Sequence, residues 1–251
     1  MRLEERVAIV TGGARGLGRA YSLGLAGEGA RVVVADIDLA GAQAVVNEIE
    51  AEGGQGLALE TDVAQKESSL EMARRAGEKF GRIDILINNA ALYARLSALP
   101  FDKTSVEEWD QVMAVNLRGM FLCCQAVFPW MKRAGRGKII NISSGTIWIG
   151  GNCRIHYTTS KAGVIGFTRS LARELGRLNI CVNCVTPGLT DTEAARMVQP
   201  QAVQDEVAKL RCFKRREVPQ DMVGTIIFLC SDESDFITGQ TVNVDGGMSM
   251  H

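Results

Sequence analysis

Charge of one sign accumulates nowhere in this chain. Lys and Arg number 28 against 29 Asp and Glu, a net charge of −1. The densest basic cluster, KRR at 214–216, is too short for the cationic face that a nucleic-acid backbone requires and reads as a solvated loop. Long apolar runs are missing as well. None approaches the roughly 18 residues of a membrane-spanning helix. The opening MRLEERVAIV enters a strand pattern directly, without the basic, apolar and small-residue segments of a secretory signal. A complete metal or disulfide framework is also lacking. Seven cysteines, an odd count without a signal, suit free thiols in a reducing compartment. CVNC at 181–184 has the spacing of half a zinc or redox site, but no second pair accompanies it. It lies in a β-prone run, so Cys181 and Cys184 are expected in the core, as are Cys123 and Cys124. The expectation is a cytoplasmic protein with no nucleic acid, membrane or metal among its partners.

What is present is an ordinary globular composition, 46% hydrophobic and 23% charged over 251 residues, a length common for a single α/β domain. Short β-branched runs at 7–11, 31–36, 56–62, 83–90, 138–144, 180–188 and 241–247 alternate with helical patterns at 16–28, 39–52, 66–80, 105–132 and 155–177. Strands apolar on both faces, alternating with helices, predict a parallel sheet covered on both sides. The right-handed crossover rule makes it a Rossmann-type, doubly wound α/β sheet of about seven strands, with ligands at the carboxyl ends of the strands. One domain, 1–251, is expected. The stretch 190–215 breaks the rhythm and is read as a mobile substrate flap over the site.

Between the first strand and the first helix lies TGGARGLG, 11–18. Glycines there let the backbone approach a pyrophosphate, and a helix N-terminus offers it unpaired amides. Gly16 and Gly18 therefore suit a dinucleotide, a reading strengthened by Asp36 at the end of the second strand.

The same stretch matches the T-G-x-x-x-G-x-G signature of the short-chain dehydrogenase/reductase family. TDV at 61–63, NNAA at 88–91, VNLRG at 115–119, NISSG at 141–145, YTTSK at 157–161 and VTPGLTDT at 185–192 resemble further family blocks, in family order and spacing along nearly the whole chain. The resemblance implies a nicotinamide cofactor. It would lie against Gly12, Arg15, Gly16, Leu17 and Gly18 at its phosphates, with Asp36 and Ile37 at the ribose and Asp62 and Val63 at the adenine. Asn89 and Ala90 would form the wall, with Pro187, Gly188, Leu189 and Thr192 beside the nicotinamide. NNAA departs from the usual N-N-A-G at Ala91, a small change in that wall.

Arg15 and Asp36 pull in opposite directions. A 2′-phosphate about 4 Å from the Asp36 carboxylate costs on the order of 4 kcal/mol at an effective dielectric of 20, roughly three decades in affinity. Arg15 offsets part of this if it faces the phosphate and none if it is a solvated turn residue. Ile37 stands where relatives that use the phosphorylated cofactor often carry a base. NAD(H) is therefore expected over NADP(H).

Tyr157 and Lys161 stand at i and i+4, on one face of a helix. A phenol of pKa near 10 becomes a usable base when an ammonium lies beside it, and lowering of the Tyr157 value is expected. The resemblance adds Ser144, thirteen residues before Tyr157, to hold the substrate oxygen. Ser143 is expected to satisfy backbone instead. Asn116, a mediocre helix former inside a helical pattern, corresponds to the fourth member of the family's tetrad and would hold a water near Lys161, or else kinks or caps its helix.

The substrate side is less specific. Tyr93, Leu96, Trp148 and Ile149 could line an apolar pocket or belong to the core. His156 is read as a spectator at the rim, and His251 is only the chain end. The segments 131–176 and 236–251 are similar to NAD-dependent secondary-alcohol dehydrogenases acting on cyclic or aryl alkyl alcohols. The expected substrate is thus a small secondary alcohol or ketone. The alternatives are an NADPH-dependent 3-ketoacyl-thioester reductase, which Asp36 opposes, and a non-catalytic NAD(H)-binding redox sensor, which has no use for the tetrad. A sugar epimerase of longer relatives would need a larger C-terminal region. Apolar residues on several sides of 105–132 and 155–177, helices that family members pair across a dyad, imply a homotetramer.

Overall fold

The computed structural model describes residues 1–94, 96–151 and 153–250; His251 lies outside the described residues. Seven strands, β1 (Val7–Thr11), β2 (Arg31–Asp36), β3 (Gln55–Glu60), β4 (Ile85–Asn88), β5 (Gly137–Ile142), β6 (Ile180–Pro187) and β7 (Thr241–Val244), form one sheet in the order β3-β2-β1-β4-β5-β6-β7. Every neighbouring pair is parallel. The helices are α1 (Gly16–Gly27), α2 (Leu39–Ala51), α3 (Lys66–Phe80), α4 (Val106–Met113), α5 (Gly119–Ala134), α6 (Thr146–Ile149), α7 (Ile155–Leu175), α8 (Glu193–Val198), α9 (Gln201–Leu210) and α10 (Gln220–Cys230).

Alternation along the strands explains the two layers. Ala8, Val10, Val32, Val34, Ile85 and Ile87 face α1, α2 and α10. Val7, Ile9, Val33, Ala35 and Leu86 face α3, α5 and α7. Cys123, Cys124, Cys181 and Cys184 are buried free thiols, as expected. The strand order reverses at β1, which pairs with both β2 and β4. A crevice opens at the carboxyl ends of such strands, where the two halves of the sheet diverge.

Three features depart from the sequence reading. The strands are shorter at several ends than the apolar runs suggest; β4 covers 85–88 and β7 covers 241–244. Helix α10 was not anticipated, although its apolar side packs Met222, Ile226, Ile227 and Leu229 into the core. The expected helix at 105–132 is continuous over Val106–Ala134 but takes one π turn at Ala114–Arg118. Although no uninterrupted apolar run is that long, this 29-residue element is by length and composition long and apolar enough to cross a membrane, with 44% of its most apolar window buried. It lies on the sheet, where Val112, Met120, Cys123, Val127 and Met131 are buried.

Candidate active site

A cleft of about 910 Å³ opens at the carboxyl ends of the strands. One wall is the turn after β1. Gly12 and Gly16 hold φ of +62° and +54°, values that side chains disfavour. A Cβ on Gly18 would collide with the Gly12 carbonyl and approach Asn89 Nδ2 to 2.7 Å. A Cβ on Gly16 would come no nearer than ordinary contact with Thr192, at 3.5 Å. Arg15 precedes α1 without capping it, so the first-turn amides have no intrahelical partner and point to the cleft. These residues fit a pyrophosphate.

Asn89 fastens the turn to β4. Its side-chain amide donates to the carbonyls of Thr11 (3.0 Å) and Gly12 (2.9 Å), and its backbone amide donates to Thr11 Oγ1 (3.1 Å). Asn89 thus lines the cleft with its donors already committed, a positioning role that the sequence did not reveal. Asp36 Oδ2 accepts from the Ala14 amide and Oδ1 from the Asp38 amide, each at 3.0 Å. Both oxygens keep a second acceptor direction for hydroxyls. Arg15, Leu17, Ile37, Asp62, Val63 and Ala90 line the same end, and Pro187, Gly188, Leu189 and Thr192 the opposite wall.

At the far end α7 presents Tyr157 and Lys161 to the cleft, and the segment after β5 presents Ser144. Lys161 is 3% exposed, and its Nζ donates to the Ile142 carbonyl at 2.8 Å. Burial lowers its ammonium from 10.5 to about 8, opposed by the Cys184 thiol. It lies 5.9 Å from the Tyr157 ring centroid. The expected lowering of the Tyr157 value is not found in this cleft. Burial, then the neighbouring Tyr93, hold the phenol above 10, while a hydrogen bond with Ser144 and the Arg154 charge pull the other way. Desolvation outweighs both, because the phenolate would lose more hydration than one hydrogen bond and the Arg154 charge repay. Ser143 donates to the Lys161 carbonyl at 2.6 Å, and so satisfies backbone.

Asn116 sits in the π turn and does not line the main cleft. Its Oδ1 accepts from the Leu92 amide (2.7 Å) and its Nδ2 donates to Ser160 Oγ (3.1 Å). Ser160 Oγ in turn donates to the Tyr157 carbonyl at 2.7 Å. The extra residue of a π turn widens the helix enough for the side chain to leave it, so Asn116 ties the β4 loop to α7. A void of about 10 Å³ adjoins both Asn116 and Lys161, about the least space that holds one water.

The substrate side corrects the sequence reading. Trp148 does not line the cleft; it packs with Met120, Val164 and Cys184, and its indole N–H donates to Thr186 Oγ1 at 3.5 Å. One residue later the chain turns, and Ile149 lines the cleft instead. Leu96 is buried away from it. Tyr93 lines it, with its ring centroid 5.2 Å from that of Tyr157. His156, expected at the rim, is 1% exposed; its Nε2 lies 3.6 Å from Glu108 Oε2. The stretch read as a flap forms α8 and α9, which bring Gln199, Val203 and Val207 to the cleft. Its base is locked by Arg211, which was not anticipated. The buried Arg211 Nη2 donates to the Leu189 carbonyl (2.9 Å) and to Glu217 Oε2 (3.2 Å), and Thr190 Oγ1 donates to Glu217 Oε1 (2.6 Å). No cluster of metal-ligating residues occurs among the described residues.

Comparison with known proteins identifies the family of the chain. A family model described as enoyl-(acyl carrier protein) reductase matches residues 12–249. An uncharacterized oxidoreductase of Mycobacterium tuberculosis is 44% identical over 97% of both chains. The (2S)-[(R)-hydroxy(phenyl)methyl]succinyl-CoA dehydrogenase subunit BbsD of Thauera aromatica is 42% identical over 100% of this chain and 99% of its own. A 3-oxoacyl-[acyl-carrier-protein] reductase of Thermotoga maritima is 37% identical over 99% of both. A crystal structure of a candidate short-chain alcohol dehydrogenase from Sinorhizobium meliloti superposes with a TM-score of 0.92 at 34% identity, covering 98% of this chain and 97% of that one.

Proposed function

The chain belongs to the short-chain dehydrogenase/reductase family, and from that membership we propose that it is an NAD(H)-dependent enzyme interconverting a secondary alcohol and its ketone. The observation that carries this reading is the convergence of Ser144, Tyr157 and Lys161 in the cleft that also holds the glycine turn and Asp36. A mere cofactor binder has no use for a phenol, a hydroxyl and a buried ammonium at the end remote from the phosphate turn.

When bound, the nicotinamide supplies or accepts the hydride. The protein's own groups do the rest. Ser144 holds the substrate oxygen and Tyr157 exchanges its proton, taking it in alcohol oxidation and returning it in ketone reduction. Tyr157 does this only if its proton can leave, and Lys161 is the nearby group able to favour that. At about 8, its ammonium is present at neutral pH and close to the range where it can itself pass a proton. Asn116 holds Ser160, the Tyr157 backbone and the Leu92 loop in one network, which keeps the phenol fixed relative to β4.

Asp36 supports NAD(H) over NADP(H), since a phosphate on the ribose would meet its carboxylate. An aryl or cyclic alcohol is supported by the apolar wall of Tyr93, Ile149, Val203 and Val207, and by the phenyl carbinol in the name of the Thauera aromatica relative. The 3-oxoacyl reductase relative favours a second reading, a 3-oxoacyl-thioester reductase using NADPH. A homotetramer is supported by Phe121 and Phe167, which make an edge-to-face pair across α5 and α7, with Phe121 exposed.

The test is a panel of secondary alcohols, ketones and 3-oxoacyl thioesters, followed by the absorbance of reduced nicotinamide with each cofactor. Turnover of alcohols with a higher kcat/KM for NAD supports the reading. Preference for thioesters with NADPH establishes the second one, and turnover of nothing in the panel removes both.

A further inference from the structure

We propose that the substrate carries a carboxylate, held by Arg154 beside the reacting oxygen. This rests on the alcohol dehydrogenase reading above and names the substrate class within it: hydroxy acids and oxo acids with an apolar body.

Arg154 stands one residue before α7 and three before Tyr157, and it lines the cleft. Its guanidinium carbon lies 5.2 Å from the centroid of the Tyr93 ring, which in turn packs on Tyr157. Its charge is felt at the Tyr157 phenol. Yet among the described residues no carboxylate pairs with it, in contrast to Arg211, which pairs with Glu217. Its Nε is buried without a hydrogen-bond partner.

The other charges lining the cleft do not supply the missing partner. Asp36, Asp62 and Glu193 belong to the glycine-turn end, where Glu193 faces Gly16. Asp245 is spent on the amides of Gly247, Met248 and Ser249. Of the cations, Lys161 donates to Ile142 and Arg118 to Ala64. The alcohol end therefore holds one uncompensated guanidinium on an aromatic shelf, between apolar walls. A half-desolvated cation without an acceptor is costly unless something fills the place. A planar fork held against a ring matches a carboxylate through two parallel hydrogen bonds. One cation with no second beside it suits the single charge of a carboxylate better than a phosphate.

The experiment uses the full-length protein with NADH or NAD. Hydroxy acids with an aryl or alkyl body, their carboxylates two to four carbons from the carbinol carbon, are compared with their primary amides in wild type, Arg154→Gln and Arg154→Lys. In parallel, 3-phenylpropanoate, 3-phenylpropanamide and phenyl phosphate are titrated calorimetrically into the protein–NADH complex. A desolvated charge pair leads to about 30-fold or more in kcat/KM for the best acid over its amide, expressed mainly in KM. Arg154→Gln should erase that ratio and the preference for 3-phenylpropanoate, and Arg154→Lys should restore part of both. Amides turned over as well as acids, or a ratio that survives Arg154→Gln, overturns the carboxylate while leaving the alcohol dehydrogenase in place. Tighter binding of phenyl phosphate than of the carboxylate also overturns it. Arg154-dependent binding of 3-phenylpropanoate with no turnover of acid or amide removes the dehydrogenase reading and, with it, the carboxylate as a substrate group.

Discussion

Glu217 should make this protein lose stability as pH rises through neutrality. The residue is 4% exposed, with Arg211 and Thr190 on its carboxylate and Asp221 and Asp245 near enough to oppose its charge. Burial wins over the hydrogen bond from Thr190 and the attraction of Arg211, and raises the carboxyl from 4.5 to about 7. A raised value in the fold means that the folded state holds its proton more tightly than the unfolded chain. The stabilising contribution is then fully present below 4.5 and is lost as pH climbs through 7. Linkage with these two values gives a loss of about 2.5 kcal/mol between pH 5 and pH 8. For a chain of this size that is roughly 5–10 °C in Tm. Other groups do not mask the window. The carboxyls held low, such as Asp191, Asp221, Asp232 and Asp245, are ionised in both states above pH 5. The depressed Lys161 adds stability only above pH 8, as the unfolded lysine goes on binding its proton up to 10.5.

The assay is urea and thermal unfolding of the cofactor-free protein by circular dichroism, at fixed protein concentration, at pH 5, 6, 7 and 8. Glu217→Gln keeps an acceptor for Thr190 and removes the titration, so its stability should vary by less than about 1 kcal/mol over the same range. An equal fall in wild type and Glu217→Gln would refute the assignment of the titration to this residue, as would a wild-type profile that is flat. The consequence reaches the site, because Glu217 holds Thr190 and, through Arg211, Leu189.

Tyr157→Phe should lower kcat at least about 100-fold while the protein still binds NADH, as judged by fluorescence titration, since only the exchanging proton is removed; near-normal turnover would end the assignment. Asp36→Ala should raise kcat/KM for NADP relative to NAD, by up to about three decades if the full repulsion is relieved; an unchanged ratio would mean that Asp36 serves only the Ala14 and Asp38 amides. Gly18→Ala should weaken NADH binding at least about tenfold, because the new methyl meets the Gly12 carbonyl and Asn89 Nδ2. Calorimetry reads that change, and unfolding by circular dichroism separates it from loss of the fold.

Much of this architecture was legible because it rests on patterns that are local in the chain. Strands such as RVVVAD, with consecutive apolar residues at its centre, point apolar side chains to both faces and so are buried on both sides, and Tyr157 and Lys161 share a face by helical period alone. What stayed hidden depends on direction or on distant partners. Trp148 and Ile149 are neighbours of similar character, and one turn of α6 decides which of them meets the cleft. Asn116 was marked by its oddity in a helix, but the π turn that lets it reach Leu92 and Ser160 has no signature in the residues themselves. Helix α10 escaped notice because QDMVGTIIFLC follows a long polar stretch and contains a glycine.

Charged residues show the same limit in its sharpest form. Arg211 and Arg154 are indistinguishable in the sequence, each an arginine in a polar loop before or after a helix. The fold gives Arg211 a glutamate and two carbonyls, so its charge is absorbed into holding the wall of the cleft. It leaves Arg154 with a ring, a buried Nε that has no hydrogen-bond partner, and no carboxylate paired with it among the described residues. Lacking a partner is a property of the assembled surroundings, read only after every nearby acid has been assigned elsewhere. A cation left over in a cleft that already holds the groups for proton exchange is more informative about the ligand than the apolar wall around it. Apolar surface accepts many shapes at similar cost, whereas a desolvated guanidinium discriminates between a carboxylate and its amide.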